Sequence, residues 1–178
     1  PFHREAFGFT GVFDADWLTD PRYARLLDHM AASPRGFAGV RVFGLLNAGT
    51  REMDFPTASG LTWTDPDGVP DFSPGLDALA ALLSRGLTPF VVLTFFPPAV
   101  SASPIVPPPD FARWERLVGG FLDAAAARFG ADALARWWFE AWNEPNMPQF
   151  WRGGFDHYLA LYRAKAAAAA AHGTRLRG

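Results

Sequence analysis

The sequence predicts an α/β fold in which parallel strands alternate with helices. Three observations support this prediction: apolar strand candidates alternate with capped helices along the 178 residues, the third strand candidate is apolar on both faces, and no G-x-G-x-x-G turn follows an early strand. The missing glycine turn argues against a doubly wound open sheet, which is the alternative architecture. The pattern therefore matches about the first four βα units of a (β/α)₈ TIM barrel, with right-handed crossovers.

The first unit and the second strand follow from short apolar runs and one capping signal. A strand is predicted around Ala6–Thr10, and Asp20–Pro21 places an N-cap acceptor before a proline at the first helical position. This signal begins a helix that runs to about Ala32. Gly39–Phe43 is the second predicted strand, and a long loop rich in Gly, Asp, Pro and Thr follows it.

The second helix begins with the same signal, a cap residue followed by proline, and the third strand and helix come after it. Ser73–Pro74 begins a helix that places leucines on one face and stops at Gly86. Pro89–Phe96 is almost continuously apolar, as expected of a parallel strand covered on both faces. Asp110 caps the third helix, whose apolar residues recur at helical spacing until Gly130.

The fourth unit completes the pattern. Trp137–Trp142 is the predicted fourth strand and Asp156–His172 the fourth helix, in which an alanine run is simply a strong helix former. Gly173–Gly178 looks like the beginning of another strand, and Pro1–Glu5 has neither an initiating Met nor a signal-peptide pattern. We therefore expect residues 1–178 to form one partial barrel domain of a longer chain.

Composition restricts the class of protein. Hydrophobic residues make up 49% of the chain and charged residues 19%, enough for a folded core, but 178 residues fall short of the roughly 250 of a complete barrel. A net charge of −2 gives no basic surface for nucleic acid, so an uncharged small ligand is the expected partner. No apolar run reaches the roughly 20 residues of a membrane-spanning helix.

Metal sites and disulfides are not expected either. The chain has no cysteine, and its histidines match no zinc-binding pattern: His3, His29, His157 and His172. Two of them, His157 and His172, are predicted to be solvated helix residues. The expected chemistry is therefore that of side-chain acids and amides without a metal.

A carboxylate follows the fourth strand and is the main candidate for chemistry. Glu144 is expected where the strand ends, because Pro145 cannot donate to a strand ladder and favours an extended residue before it. The carboxyl ends of parallel strands form the catalytic face of a barrel. The alternative is that Glu144 is an acid at a helix start or on the surface.

The neighbours of Glu144 suggest how its carboxyl would be tuned. If Trp142 and Trp151 wall this carboxyl, partial desolvation favours its neutral form, which suits a general acid. Asn143 adds an amide able to bind a sugar hydroxyl or a neighbouring carboxylate. Its alternative role is that of a turn former.

These residues resemble a known enzyme family. Trp142–Pro145, at the end of a fourth barrel strand, resembles the Trp-Asn-Glu-Pro motif of the retaining glycoside hydrolases of clan A. The longer block Trp138–Asn146, with Phe150–Trp151 and Leu161–Tyr162 after it, is similar to glycoside hydrolase family 39, the β-xylosidase and α-L-iduronidase family. Two upstream blocks agree with the same family. Val40–Leu46 resembles its second strand, and the other block is similar to its second helix and third strand through four segments: Phe72–Ser73, Leu76–Asp77, Gly86–Leu93 and Phe95–Pro97.

The resemblance implies hydrolysis of O-glycosidic bonds with retention, in a β-xylosidase-like enzyme that needs no cofactor or metal. It assigns Glu144 as the general acid/base and Asn143 as a group that orients the substrate or the nucleophile. The family's nucleophile is a second Glu after the seventh strand, which this chain does not contain, so the chain alone is expected to be inactive. Phe43 stands where the family usually has His, so the contact to a sugar hydroxyl that the resemblance implies there is lost.

Glu140 cannot supply the missing carboxylate. It lies four residues before Glu144, or about 13 Å at roughly 3.3 Å per residue, whereas retaining glycosidases hold their two carboxyls about 5–5.5 Å apart. We expect Glu140 to face the barrel interior and to pair with Arg41. Arg41 either serves this structural pair or, as the resemblance implies, reaches toward the nucleophile and the substrate.

Three aromatic residues are candidates for an apolar platform under a sugar ring: Trp151, Phe96 and Phe95. A place in the core is the alternative for each. The competing function is a non-catalytic carbohydrate-binding or structural half-barrel, motivated by the absent second carboxylate. Carbohydrate is the expected partner, with no nucleic acid or membrane, and the open strand edges of half a barrel are expected to cause self-association.

Overall fold

The computed structural model describes residues 8–12, 14–32, 37–46, 69–174 and 176. Within these ranges four parallel strands form one sheet in the order β1-β2-β3-β4. The strands are β1 (Phe9–Val12), β2 (Gly39–Val42), β3 (Thr88–Val92) and β4 (Trp138–Glu140). Each strand pairs with the one before it in the chain, which is the arrangement that consecutive βα units produce.

Helices connect the strands. They are a 3₁₀ helix (Ala15–Thr19), α1 (Pro21–Ala32), α2 (Ser73–Leu83), α3 (Ala112–Phe129), the single turn α4 (Ala131–Leu134) and α5 (Phe155–Ala171). The four long helices lie where the sequence predicts them, whereas the 3₁₀ helix and α4 were not predicted. None of the helices in the described ranges has the length and apolarity that crossing a membrane requires.

Two of the helices, α1 and α3, start with the same kind of hydrogen bond to an aspartate side chain. Asp20 and Asp110 each accept, at Oδ1, the backbone N–H two residues further on, at 2.7 and 2.9 Å, which satisfies a donor that the first helical turn leaves unpaired. The Arg22 side chain donates to Asp20 as well and lowers the pKa of that carboxyl to about 2. The prediction that Ser73 caps α2 is wrong, because Ser73 is helical and its N–H donates to Asp71 at 2.9 Å.

The strands differ more from prediction than the helices do. β1 lies later than the predicted Ala6–Thr10, of which Ala6 and Phe7 fall outside the described residues. β3 and β4 end at Val92 and Glu140, short of the predicted ends at Phe96 and Trp142. The segments beyond remain buried as loops, so an apolar run overestimates the strand length.

Aromatic rings fill the core beyond the carboxyl ends of β3 and β4. The ring centroids of Phe96 and Trp142 lie 4.7 Å apart, and those of Trp142 and Trp151 5.2 Å apart. Trp114 of α3 packs edge-on against Phe96 at 5.1 Å, and Phe95 against Trp142 at 5.4 Å. We call these five side chains the aromatic cluster.

Helices α3 and α5 are joined by a histidine. His172 Nδ1 donates to the Ala168 carbonyl at 2.8 Å, and its Nε2 contacts Asp123 Oδ1 on α3 at 2.8 Å. The side chain is only 16% exposed, so the prediction of a solvated His172 is wrong: the last turn of α5 lies against α3, which a helical pattern alone does not reveal. His157 is exposed, as predicted.

The sheet continues past β4. Leu176 forms a parallel bridge with Phe139, which agrees with the expectation that Gly173–Gly178 begins a further strand. The predicted loop after β2 falls for the most part on residues 47–68, outside the described residues, as does His3. The described part thus has the predicted parallel α/β architecture.

Candidate active site

An interior ion pair joins the second and fourth strands. Arg41 Nε donates to Glu140 Oε2 at 2.7 Å and Arg41 Nη2 donates to Glu140 Oε1 at 2.5 Å, so the pair is bidentate. The two side chains are 28% and 16% exposed. The predicted pair is therefore confirmed, and it spans the intervening strand β3.

The same guanidinium fixes Asn143. Arg41 Nη2 also donates to Asn143 Oδ1 at 3.1 Å, and Asn143 is buried. Because its amide oxygen accepts this bond, Asn143 can act on a ligand as an NH₂ donor. Arg41, Glu140 and Asn143 form one network at the carboxyl ends of the strands, which is where a barrel enzyme places its site.

Glu144 begins a turn just after this network. Its carbonyl accepts the Met147 N–H at 2.9 Å, and its φ of 43° is left-handed. The expectation that Pro145 holds Glu144 in an extended conformation is wrong, because the fixed φ of proline suits the second position of a β-turn that Glu144 begins. Glu144 also lies four residues past Glu140, the last residue of β4, rather than at the strand end.

The predicted burial of the Glu144 carboxyl is not observed. Trp142 and Trp151 are 3% and 5% exposed and belong to the aromatic cluster, while Glu144 is exposed. Trp142 Nε1 donates to the Phe150 carbonyl at 2.9 Å, and its ring centroid lies 6.5 Å from that of Trp114 of α3. Because Glu144 is exposed, the described residues do not desolvate its carboxyl as predicted.

The aromatic platform expected for a sugar is also corrected. Phe96 is 0% exposed and Trp151 5% exposed, and both rings pack inside the aromatic cluster. Neither ring presents an open face in this structure. The alternative that the sequence left open, a place in the core, describes both residues.

Lys165 of α5 is the residue that sequence analysis missed. It is fully buried, and its Nζ donates to the carbonyls of Leu93 and Ala141, just beyond the ends of β3 and β4. Desolvation by burial lowers the pKa of Lys165 well below its ordinary value, and the charge of Glu140 opposes this shift. A signal for it was present in the sequence: Lys165 recurs at helical spacing with Leu161 and Ala169, which form the buried face of α5.

Possible metal ligands are scattered over the part of the chain that the structure describes. The described residues contain no group of three or more His, Cys, Asp or Glu side chains placed to hold a metal ion. The chemistry available at the strand ends is that of the Glu144 carboxyl, the Asn143 amide and the Arg41 guanidinium.

Comparison with known proteins identifies related chains. The family model for glycosyl hydrolases family 39 matches residues 2–177. A β-xylosidase of Caldicellulosiruptor saccharolyticus is 30% identical over 144 residues, which are 74% of this chain and 28% of that protein. The chain thus spans under a third of the length of this relative.

Solved structures agree with the fold. A GH39 β-xylosidase from Caulobacter crescentus is 26% identical with a TM-score of 0.78, and the GH39 enzyme from Xanthomonas axonopodis pv. citri is 28% identical with a TM-score of 0.73. Each match covers 96% of this chain, and 39% and 34% of the respective neighbour. These neighbours are TIM-barrel enzymes, so the four-stranded parallel sheet is part of a (β/α)₈ barrel, as predicted.

Proposed function

The chain belongs to glycosyl hydrolase family 39, and from this premise we propose that it carries the acid/base part of a retaining, β-xylosidase-like catalytic barrel. Its relatives support a glycosidase function. In this proposal residues 1–178 form a partial catalytic domain, and carbohydrate is the substrate.

Glu144 is the general acid/base of the proposed reaction. A carboxylate nucleophile from outside the chain attacks the anomeric carbon, the glycosidic bond breaks, and the leaving oxygen takes the proton of Glu144. The Glu144 carboxylate then accepts a proton from water as that water displaces the nucleophile from the sugar. The exposure of Glu144 supports this role, since a substrate can reach the carboxyl.

The single observation that carries the proposal is the network of Arg41, Glu140 and Asn143. It holds Asn143 in a buried position beside Glu144. Both residues follow the carboxyl end of a strand, which is where barrel enzymes have their active sites. It also occupies Glu140 with a bidentate partner, which leaves Glu144 as the acid able to meet a substrate. Asn143 then serves as the amide donor that orients the substrate or the nucleophile.

The test compares substrates that differ in their need for an acid. In the complete gene product, Glu144→Gln should reduce kcat/KM on xylobiose by about 10²–10⁴-fold, because the leaving sugar oxygen must be protonated. On a dinitrophenyl β-xyloside, whose leaving group departs as an anion, formation of the glycosyl-enzyme should continue at close to the wild-type rate. Glu115→Gln, an exposed glutamate of α3, is the matched control and should change neither rate. An equal loss on both substrates, or no loss, contradicts the assignment.

A second function is a non-catalytic carbohydrate-binding half-barrel. The observation that favours it is the engagement of Glu140 with Arg41, which leaves Glu140 unsuited to act as a nucleophile. Assays of the complete gene product with xylobiose, together with calorimetric titration with xylose and xylobiose, separate the two functions. Binding without turnover by the complete gene product favours the binding module, and measurable hydrolysis that Glu144→Gln reduces excludes it.

A further inference from the structure

The chain contains a single lysine, and that lysine is fully buried. Of the 16 lysine and arginine residues, only Lys165 is a lysine, and its exposed fraction is 0%. A buried ammonium group is costly unless it is well paired, so this position demands an explanation. The surrounding alanines of α5 need no cation for helix formation.

The contacts of Lys165 tie two strand ends together. Its Nζ donates to the carbonyl of Leu93, one residue past β3, and to the carbonyl of Ala141, one residue past β4. At this level the ladder between the strands ends, with the Leu93 N–H donating to the Glu140 carbonyl at 3.0 Å. Lys165 therefore continues the pairing of the two strands beyond their backbone hydrogen bonds.

Two indole rings flank the Lys165 amine. Nζ lies 4.7 Å from the ring centroid of Trp142 and 4.9 Å from that of Trp114, within the range of cation–π contacts. The charge of Glu140, which itself is paired with Arg41, also acts on Lys165. The side chain thus connects α5 to the backbone and ring of the Ala141–Trp142 step, directly before Asn143.

We propose that Lys165 is a positioning residue for this site: it ties the carboxyl ends of β3 and β4 together and so fixes the backbone from which Asn143 and Glu144 extend. This inference rests on the proposed function, because it assigns Lys165 to the presentation of the acid/base. A slender amine that reaches two carbonyls between two indole rings fits this place, whereas the wider planar guanidinium of arginine would not reproduce its contacts.

The first test measures the tie itself and needs no activity. Lys165→Met keeps the length of the side chain and removes its donors, so two buried carbonyls lose a partner. By hydrogen exchange and mass spectrometry on the 178-residue chain, amides 93–96, 141–144 and 146–147 should exchange about tenfold faster, while those of β1 and β2 keep the wild-type rate. Arg163→Met, an exposed cation replaced on the same helix, is the matched control and should leave all segments unchanged.

The second test measures the consequence for catalysis in the complete gene product. Lys165→Met should lower kcat on xylobiose by at least tenfold and lower the rate on a dinitrophenyl β-xyloside much less, because a displaced Glu144 affects protonation most. A merely structural role would lower both rates equally through a smaller folded fraction. If Lys165→Met does not fold, Lys165→Gln replaces it in both tests. Glutamine keeps two N–H donors on a shorter side chain.

The outcomes separate the two proposals. Unchanged exchange at both strand ends, or uniformly faster exchange over the whole sheet, overturns the positioning role whatever the activity. Equal losses on the two substrates also overturn it, provided that Glu144→Gln shows the expected dependence on the leaving group. If Glu144→Gln shows no such dependence, the proposed function fails, and the exchange experiment still decides whether Lys165 ties the strand ends.

Discussion

Arg41 illustrates how one side chain arranges the interior charges of this sheet. It gives two hydrogen bonds to Glu140 and one to Asn143, and its guanidinium lies 4.4 Å from the ring centroid of Phe43. Removal of Arg41 would leave a largely buried carboxylate without its bidentate partner, which costs more than the ion pair itself contributes.

Replacement of Arg41 should therefore destabilise the chain. We expect Arg41→Met to lower the free energy of unfolding by about 2 kcal/mol, between the values for exposed and fully buried pairs. The midpoint of urea unfolding measures this change. Arg128→Met is the control, since Arg128 and its partner Asp77 are 37% and 61% exposed and the expected loss is below about 1 kcal/mol. Equal losses in the two variants would refute the argument from burial.

The sequence predicts some of these residue contacts and misses others for identifiable reasons. The sequence predicts the ion pair of Arg41 and Glu140 because a charged side chain at an interior strand position needs a partner of opposite charge. The positions of the Trp142 and Trp151 rings were not predictable in this way, because they follow from the path of a loop rather than from a strand period. The sequence analysis does not predict the burial of Lys165, although the spacing of this residue on α5 places it on the buried face of the helix.

Among the elements, β2 depends on a close approach at Gly39. A Cβ atom at this position would lie 2.0 Å from the Thr88 carbonyl oxygen and 2.7 Å from the Phe9 ring. Since β2 is the interior strand between β1 and β3, only a residue without a side chain allows both neighbours to pair here.

Two glycine replacements should therefore have opposite effects. Gly39→Ala should destabilise the chain by about 1–3 kcal/mol or more, because backbone rather than a flexible side chain must move. Gly119→Ala should stabilise it by about 0.4–1 kcal/mol, because Gly119 lies inside α3 with open space at its Cβ position. Thermal unfolding of both variants measures the sign of each change in stability. A Gly39→Ala variant as stable as the wild type would show that the pairing of β2 with β1 and β3 can open at this position.

The packing of α3 and α5 should depend on pH through His172. Desolvation acts to lower the pKa of His172, but hydrogen bonds to the Ala168 carbonyl and to Asp123, with the charge of Asp123, outweigh it, and the pKa is raised. A raised folded-state pKa adds stability that is fully present below the unfolded value of about 6.5 and is lost as the pH rises through the folded value.

This linkage is measurable by unfolding in urea at several pH values. The loss of stability caused by His172→Gln should be largest near pH 5 to 6 and smaller at pH 8 to 9. His157→Gln, at an exposed position on the same helix, should show no such trend. A loss for His172→Gln that stays constant across this range would mean that packing, not charge, joins the helices.

Helices were predicted more accurately than strands because their ends carry local signals. At the start of α1 and α3, Asp20 and Asp110 each accept the N–H two residues further on, although the N-cap position of α3 is Phe111 rather than the predicted Asp110. A short stretch of sequence therefore contains the whole interaction. The end of β3 has no such signal. The Thr94 N–H turns back to the Val92 carbonyl at 2.9 Å while the apolar sequence continues into a buried loop.

At the scale of the whole molecule, the open edge of the sheet should govern solution behaviour. Among the described strands, β1 pairs on one side only, with β2. We expect the 178-residue chain to self-associate and to show a mass above 19.5 kDa by light scattering on a sizing column. Gly11→Lys places a charge on the exposed edge, where a Cβ atom has room, and should shift the chain toward the monomer. A wild-type monomer at high concentration would contradict this expectation.

The order of the strands has a consequence for how the chain is made. Because β1, β2, β3 and β4 pair in the order in which they are synthesised, each new strand leaving the ribosome meets a partner that already exists. The sheet can therefore grow in one direction, with the newest strand always forming the acceptor edge. Leu176, bridged to Phe139, lies at that growing edge and extends the parallel pairing beyond β4.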